Sequence, residues 1–247
     1  MNKKSTRKKP VKTVAKGKTP RRRPGRPPLA SNTLLNKDMV ISCALELAKK
    51  IPLQDLSMVR VARELGVTPA LLYYYLGSRD ALTSGVMNWF YKLVIEGWPA
   101  AVGAWKLDLE RMAHHLYRSY VKYPGIAAYV VAHNKFRLVQ LVGKEQTDYG
   151  FLLFEKSVGA VRAAAFGPLR TGLYAHLIME LIASHAHSSV RHRWPGEHRE
   201  FLREMCARLD PDKYPSTHFV VDSFVQREAA DVFAEGLRTM IDGLAAE

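Results

Sequence analysis

The chain has 247 residues, 47% of them hydrophobic, enough to bury the core of one sizeable domain or two smaller ones. Two cysteines exclude a disulfide framework, and no window reaches the roughly 18 uncharged apolar residues of a membrane span. The formal charge of +14 is unevenly placed: residues 1–30 hold twelve Lys and Arg and no acid, leaving 25 basic against 23 acidic residues in the remainder. The basicity is an arm on a nearly neutral body, and the partner it suits is a polyanion.

The arm, "MNKKSTRKKPVKTVAKGKTPRRRPGRPPLA", has no periodic apolar face and is expected to be disordered when free. It is taken as one unit, residues 1–33. No apolar stretch precedes Lys37, so a secretory signal is not expected, and the protein is expected in the cytoplasm. After Asn36, the residues Val40, Cys43, Ala44, Leu47, Ala48 and Ile51 follow the i, i+3, i+4, i+7 spacing of an amphipathic helix, which Pro52 closes. Ser57 is an N-cap for a second helix bearing Met58, Val61, Ala62 and Leu65, stopped by Gly66. Thr68 followed by Pro69 starts a short third helix that ends near Gly77. Ser78 caps a longer fourth helix with Leu82, Val86, Trp89, Phe90, Leu93 and Val94 on one face, up to Trp98–Pro99. A domain boundary is placed there, giving 34–97 and 98–247. Beyond it, helices are predicted at 107–122, 125–141, 146–164, 168–191, 196–208 and 222–245, separated by the breakers "YPG", "FGP", "RWPG" and "DPDKYP". Alternating strand patterns are scarce, so the fold class is all-α. Cys43 and Cys206 fall in apolar helical patterns and read as reduced thiols.

The segment "VRVARELGVTPALLYYYL" fits a helix-turn-helix, whose second member enters the major groove of DNA. A structural helical hairpin has the same pattern. Within it, Tyr73, Tyr74 and Tyr75 are consecutive. Successive helical residues turn by about 100°, so the three rings cannot share one core-facing side, and at least one looks outward. At these residues the chain resembles the TetR family of bacterial one-component transcriptional regulators. The likeness runs through "VISCALELAKKIPLQDLSMVRVARELGVTPALLYYYLGSRDAL", and the closing "DVFAEGLRTMIDGLAAE" is similar to the last helix of many members.

The resemblance implies an N-terminal helix-turn-helix domain followed by a helical ligand-binding and dimerisation domain. It implies DNA contacts from Thr68 at the helix start, from Tyr73 to the backbone, and from Tyr74 and Tyr75 to groove or phosphate. Arg79 stands where the family usually has lysine. Arg60 is a phosphate partner or a solvated surface arginine. Pro69, Ala70 and Leu71 complete the outer face, which carries no Arg, Lys, Asn or Gln for bidentate base reading. Ala70 and Leu71 can touch thymine methyl groups. In the arm, "RRRPGRPP" resembles the AT-hook, with Pro24 displacing the first core arginine. Arg23 and Arg26 are the candidates for a minor-groove contact, set against a solvated tail that adds affinity alone.

In the second half, Tyr117, Tyr120, Phe136, Phe154 and Tyr174 are candidate ligand-lining rings, with core packing as the alternative. The resemblance implies an intersubunit four-helix bundle near the C-terminus, which makes 168–191 and 222–245 the dimer candidates; Leu173, Leu177, Leu181, Phe233, Leu237 and Ile241 are apolar at helical spacing within them. His176, His185, His187, His192 and His198 are loosely spaced with no completing carboxylate or cysteine, so no metal and no cofactor is expected. No nucleophile–base pair or phosphate loop suggests an enzyme. The expected function is that of a homodimeric repressor, released from a pseudo-palindromic operator by a small apolar or amphipathic effector. The alternative is a nucleoid-like protein that coats DNA through the arm without ligand control.

Overall fold

A computed structural model describes residues 35–132, 142–143, 145–190 and 194–245. Among these there are eleven α-helices and no strand: α1 Lys37–Leu47, α2 Met58–Leu65, α3 Pro69–Leu76, α4 Arg79–Glu96, α5 Trp105–Lys122, α6 Pro124–Ala132, α7 Tyr149–Arg162, α8 Pro168–Ser189, α9 Arg199–Ala207, α10 Pro215–Phe224 and α11 Ala229–Ala245. Short 3-10 turns occupy Leu53–Asp55 and Pro195–His198.

The start and stop signals of the first four helices act as their chemistry requires. Side chains of Asn36, Ser57 and Ser78 accept hydrogen bonds from the amides of Met39, Arg60 and Ala81, satisfying donors that have no partner inside their helices. Gly66 ends α2 at φ 68°, ψ 24°, a left-handed conformation that costs a Cβ-bearing residue and nothing for glycine. α1 ends one turn earlier than the apolar spacing suggests. At its end Lys49 and Lys50 donate to Glu46 and Leu47, three residues back, and this tightened turn carries the chain to Pro52.

α4 packs against α1, α3, α5 and α7, and α8 packs against α5, α6, α7 and α11. Most of the buried side chains form one continuous cluster from Val40 to Leu244. On α4, the predicted Leu82, Val86, Phe90 and Val94 are buried, but Met87 and Tyr91 flank them inside while Leu93 is exposed and Trp89 half-buried. The buried arc is therefore rotated from the predicted one, because α4 is covered on several sides by neighbours that periodicity alone does not reveal.

Two further expectations are corrected. The predicted helix 196–208 is a 3-10 turn followed by α9. The predicted helix 222–245 is two helices, because Pro215 is a start rather than a stop: it occupies the first position of α10, where its missing N–H costs nothing. The break between α10 and α11 is held by Arg199, whose Nε donates to the Val225 carbonyl at 3.2 Å and whose Nη2 lies 3.8 Å from Glu228. The predicted 125–141 helix opens at Pro124 and is described to Ala132, and its remainder lies outside the described residues.

Of the six apolar residues considered for a subunit contact, Phe233, Leu237 and Ile241 face inward and are buried in their own chain. The Phe233 ring stacks on Tyr117 at 4.2 Å between centroids and meets His114 edge-on at 5.3 Å. Phe233→Ala should lower the unfolding free energy by about 3–5 kcal/mol, the usual cost of emptying a buried phenyl site. Urea titration of the purified protein checks this, and a change below about 1 kcal/mol would place the ring outside the core.

Candidate nucleic-acid interface

The interface is built outward from Leu72 and Leu76, both buried, which seat α3 against the preceding helices. With those two positions fixed inward, helical geometry turns Ala70, Leu71, Tyr73 and Tyr74 outward. Tyr73 is 50% and Tyr74 81% exposed, a large amount of ring surface for a monomer to leave in water. Tyr75 is half-buried, its ring edge-on to Tyr74 at 5.4 Å and 78°. The pair holds two of the three hydroxyl-tipped rings in a fixed mutual orientation.

Thr68 occupies the N-cap position of α3 in an extended conformation, yet its side chain makes no capping bond. Thr68 and Ala70 are exposed on either side of Pro69, which has no N–H. Such a start presents donors and the positive end of the helix dipole to an anion. Arg60 is exposed on α2, and so is Arg63, one turn further along the same helix. Arg63 was not among the expected contacts, although its i, i+3 spacing from Arg60 is legible in the sequence.

Arg79, though exposed, is engaged by its own chain. Its Nε donates to the Leu56 carbonyl at 3.2 Å and its Nη2 donates to the Gln54 carbonyl. The guanidinium fork thus fastens the first turn of α4 to the segment that leads into α2. Arg23 and Arg26 lie outside the described residues, as does Phe136.

The candidate ligand rings fall into separate aromatic groups. Tyr117 joins Phe233, Tyr120 lies 5.3 Å from Phe90, and Tyr174 lies 5.2 Å from Phe166. Tyr117 and Tyr120 are buried in the core, and burial drives the Tyr120 hydroxyl far above the ordinary tyrosine range. Phe154 is exposed on α7. An open cleft of about 340 Å³ between the end of α4 and α5 is lined by Gly97, Leu107, Arg111, His114 and Arg118, and none of the candidate rings lines it. Among the described residues, no group of His, Cys, Asp or Glu is arranged to hold a metal ion, and His192 lies outside them.

Comparison with known proteins places this geometry in a family. The family model described as the tetracyclin repressor-like C-terminal domain matches residues 99–247, well over half of the chain. The chain belongs to the TetR family. The HTH-type transcriptional repressor DrrR1 of Streptomyces coeruleorubidus is 32% identical over 105 residues, 42% of this chain and 38% of that protein. The match therefore spans less than two fifths of that relative's length. ActR of Streptomyces coelicolor shares the fold: its apo crystal structure gives a TM-score of 0.70 at 21% identity, covering 87% of this chain and 97% of that one. The structure of ActR in complex with actinorhodin gives 0.69 at 22% identity, covering 87% and 98%.

Arg79→Ala should cost about 1–2 kcal/mol of stability by leaving two carbonyls without their charged donor. Arg79→Lys should recover less than half of that, since one ammonium does not reproduce a two-pronged fork. Chemical denaturation of the three proteins distinguishes this from a free surface arginine, for which all three curves would coincide.

Proposed function

We propose that this TetR-family protein is a homodimeric transcriptional repressor, cytoplasmic, that binds a pseudo-palindromic operator and leaves it when a small apolar or amphipathic molecule occupies the C-terminal helices. The observation that carries this reading is the outer face of α3. Two exposed aromatic rings with hydroxyl tips, a third half-buried beside them, and an unused N-cap hydroxyl stand beyond a buried Leu72–Leu76 spine, behind a glycine turn of helix-turn-helix form.

In this reading Thr68, Tyr73 and Tyr74 meet the DNA backbone, Tyr75 supports Tyr74 from behind, and Arg60 with Arg63 approaches phosphates. Ala70 and Leu71, beside Pro69, lie against base edges, where thymine methyl groups are their natural contacts. Arg79 orients the pair of helices through the Leu56 and Gln54 carbonyls, with its remaining N–H groups facing the phosphates. The arm, through Arg23 and Arg26, adds charge along the minor groove. A reader of this kind gains register from phosphates and little base discrimination from hydrogen bonds.

The subunit contact is supported by apolar surface that the chain leaves uncovered. Leu169, Leu173 and Leu177 form an exposed stripe on α8 at i, i+4, i+8, and Phe219 on α10 is 91% exposed. α11 offers less: its apolar side is buried, and its outer side carries Arg238 paired with Glu235 and Asp242. Two-fold pairing through α8 and α10 sets two recognition helices on one side of the duplex. Effector release then needs only that the ligand bind the DNA-incompetent arrangement more tightly, by a few kcal/mol.

Binding to a duplex chosen by selection from random sequences tests the reading. Tyr73→Phe should weaken it about tenfold, the value of one hydrogen bond to a charged phosphate. Removal of residues 1–26 should flatten the log–log salt dependence by about 0.9 for each phosphate that the arm neutralises. Unchanged affinity in the first and an unchanged slope in the second would remove the tyrosine and the arm, respectively, from the interface.

A further inference from the structure

Helix α5 has two working faces. Leu109, Met112, Ala113, Leu116, Tyr117 and Tyr120 are buried in the core. Leu107, Glu110, Arg111, His114, His115 and Arg118 form a second stripe at i, i+3, i+4, i+7, i+8 and i+11, and all six line the open cleft beside the end of α4. The cleft measures about 340 Å³, which lies in the size range of sites for small organic ligands.

Contacts at the rim give the cleft its shape. His115 Nε2 lies 2.9 Å from the Val94 carbonyl; a carbonyl only accepts, so that nitrogen carries the proton and ties α5 to α4. Trp98 meets the same imidazole edge-on at 6.3 Å, and Gly97 leaves the room the ring needs, since a Cβ there would lie 3.0 Å from His115 Cε1. Arg111 Nη1 donates to the Ala100 carbonyl at 3.0 Å, which turns the guanidinium to the rim and leaves the methylene stem along the cleft. Arg118 is exposed and makes no hydrogen bond or ion pair among the described residues. His114 stands one turn before it, with Nε2 4.0 Å from the Glu110 carboxylate.

The two ends of the cleft differ in chemistry. Among the lining residues two guanidinium groups outnumber one carboxylate, which disfavours a cationic occupant. Arg118 offers an uncommitted fork suited to a carboxylate. Eleven residues earlier, about 16 Å along the helix axis, Leu107 is 46% exposed beside Pro99 and needs an apolar cover. An inorganic anion would use the first end and leave the second wet. We infer that this cleft binds a small amphipathic carboxylic acid, with its carboxylate on Arg118 beside His114 and its hydrocarbon part along the Arg111 stem toward Leu107 and Pro99. Treating that acid as the effector rests on the function proposed above; its binding on α5 does not.

Calorimetric titration of the full chain with octanoate, octanol and acetate tests the site. Octanoate should bind saturably, one per chain. Octanol lacks the carboxylate and acetate the hydrocarbon, so each should bind at least about tenfold more weakly. Arg118→Glu should abolish octanoate binding, Arg118→Lys should weaken it less, and Leu107→Asp should weaken it about tenfold. Both positions are exposed, so the circular dichroism spectrum should be retained. Equal affinity for octanol and octanoate, octanoate binding that ignores Arg118→Glu, or no saturable binding of octanoate would each overturn the inference. No DNA enters these titrations. Absence of operator binding would therefore strike the regulator reading and leave the site standing, and an operator-binding dimer with no affinity for octanoate would do the reverse.

Discussion

The packing of Phe90 is the constraint on which the rest of the molecule depends. It sits on α4, the helix that links the first three helices to the rest of the chain, and it is fully buried with Tyr120 of α5 at 5.3 Å and Tyr123 at 5.6 Å. Burial of such a ring contributes roughly 1.5–3 kcal/mol before cavity effects, so α4 cannot move without carrying or abandoning the start of α6. Leu82 and Val86 extend the same face toward the helix-turn-helix. One core therefore serves both halves, and the orientation of α3 is a property of the whole described chain.

That arrangement explains why the α3 surface can be spare. A recognition helix with Ala70 and Leu71 at its outer face and no amide or cation to read bases discriminates weakly by direct hydrogen bonding. On the proposed function, its selectivity comes from shape, from thymine contacts and from the fixed spacing of two copies. Spacing is informative only if α3 is rigidly held. Arg79 on the Gln54 and Leu56 carbonyls holds it at the start of α4. Asn88 adds a second tie: its side-chain amide donates to the Thr147 carbonyl and accepts from the Tyr149 amide, fastening α4 to the start of α7.

Much of the first hundred residues was legible because their signals are local. Ser57, Gly66 and Ser78 each bond a backbone group within three or four residues, Pro69 lacks an N–H where none is needed, and each stands where the spacing put it. Pro215 carried the same start signal as Pro69 but lay in a polar stretch, "DPDKYP", that read as a breaker, and α10 was missed with it. Periodicity could tell that Phe233, Leu237 and Ile241 share a side of α11 but not that this side faces its own chain, which depends on distant Tyr117 and His114. The same limit applied to Tyr117, Tyr120 and Tyr174, whose partners Phe233, Phe90 and Phe166 divide them among different groups. Arg79 was legible as a charge at the correct helix start, and its carbonyl partners, more than twenty residues earlier, were not.

The central claim is that two copies of α3, held at a fixed separation, read one duplex together. Hydroxyl-radical footprinting of the unmodified protein on its selected duplex tests this most directly. The account predicts two protected blocks related by a dyad, with centres about one helical turn of DNA, or a whole multiple, apart. Continuous protection that lengthens with protein concentration and shows no dyad would contradict it, and would describe a protein that coats DNA through its arm.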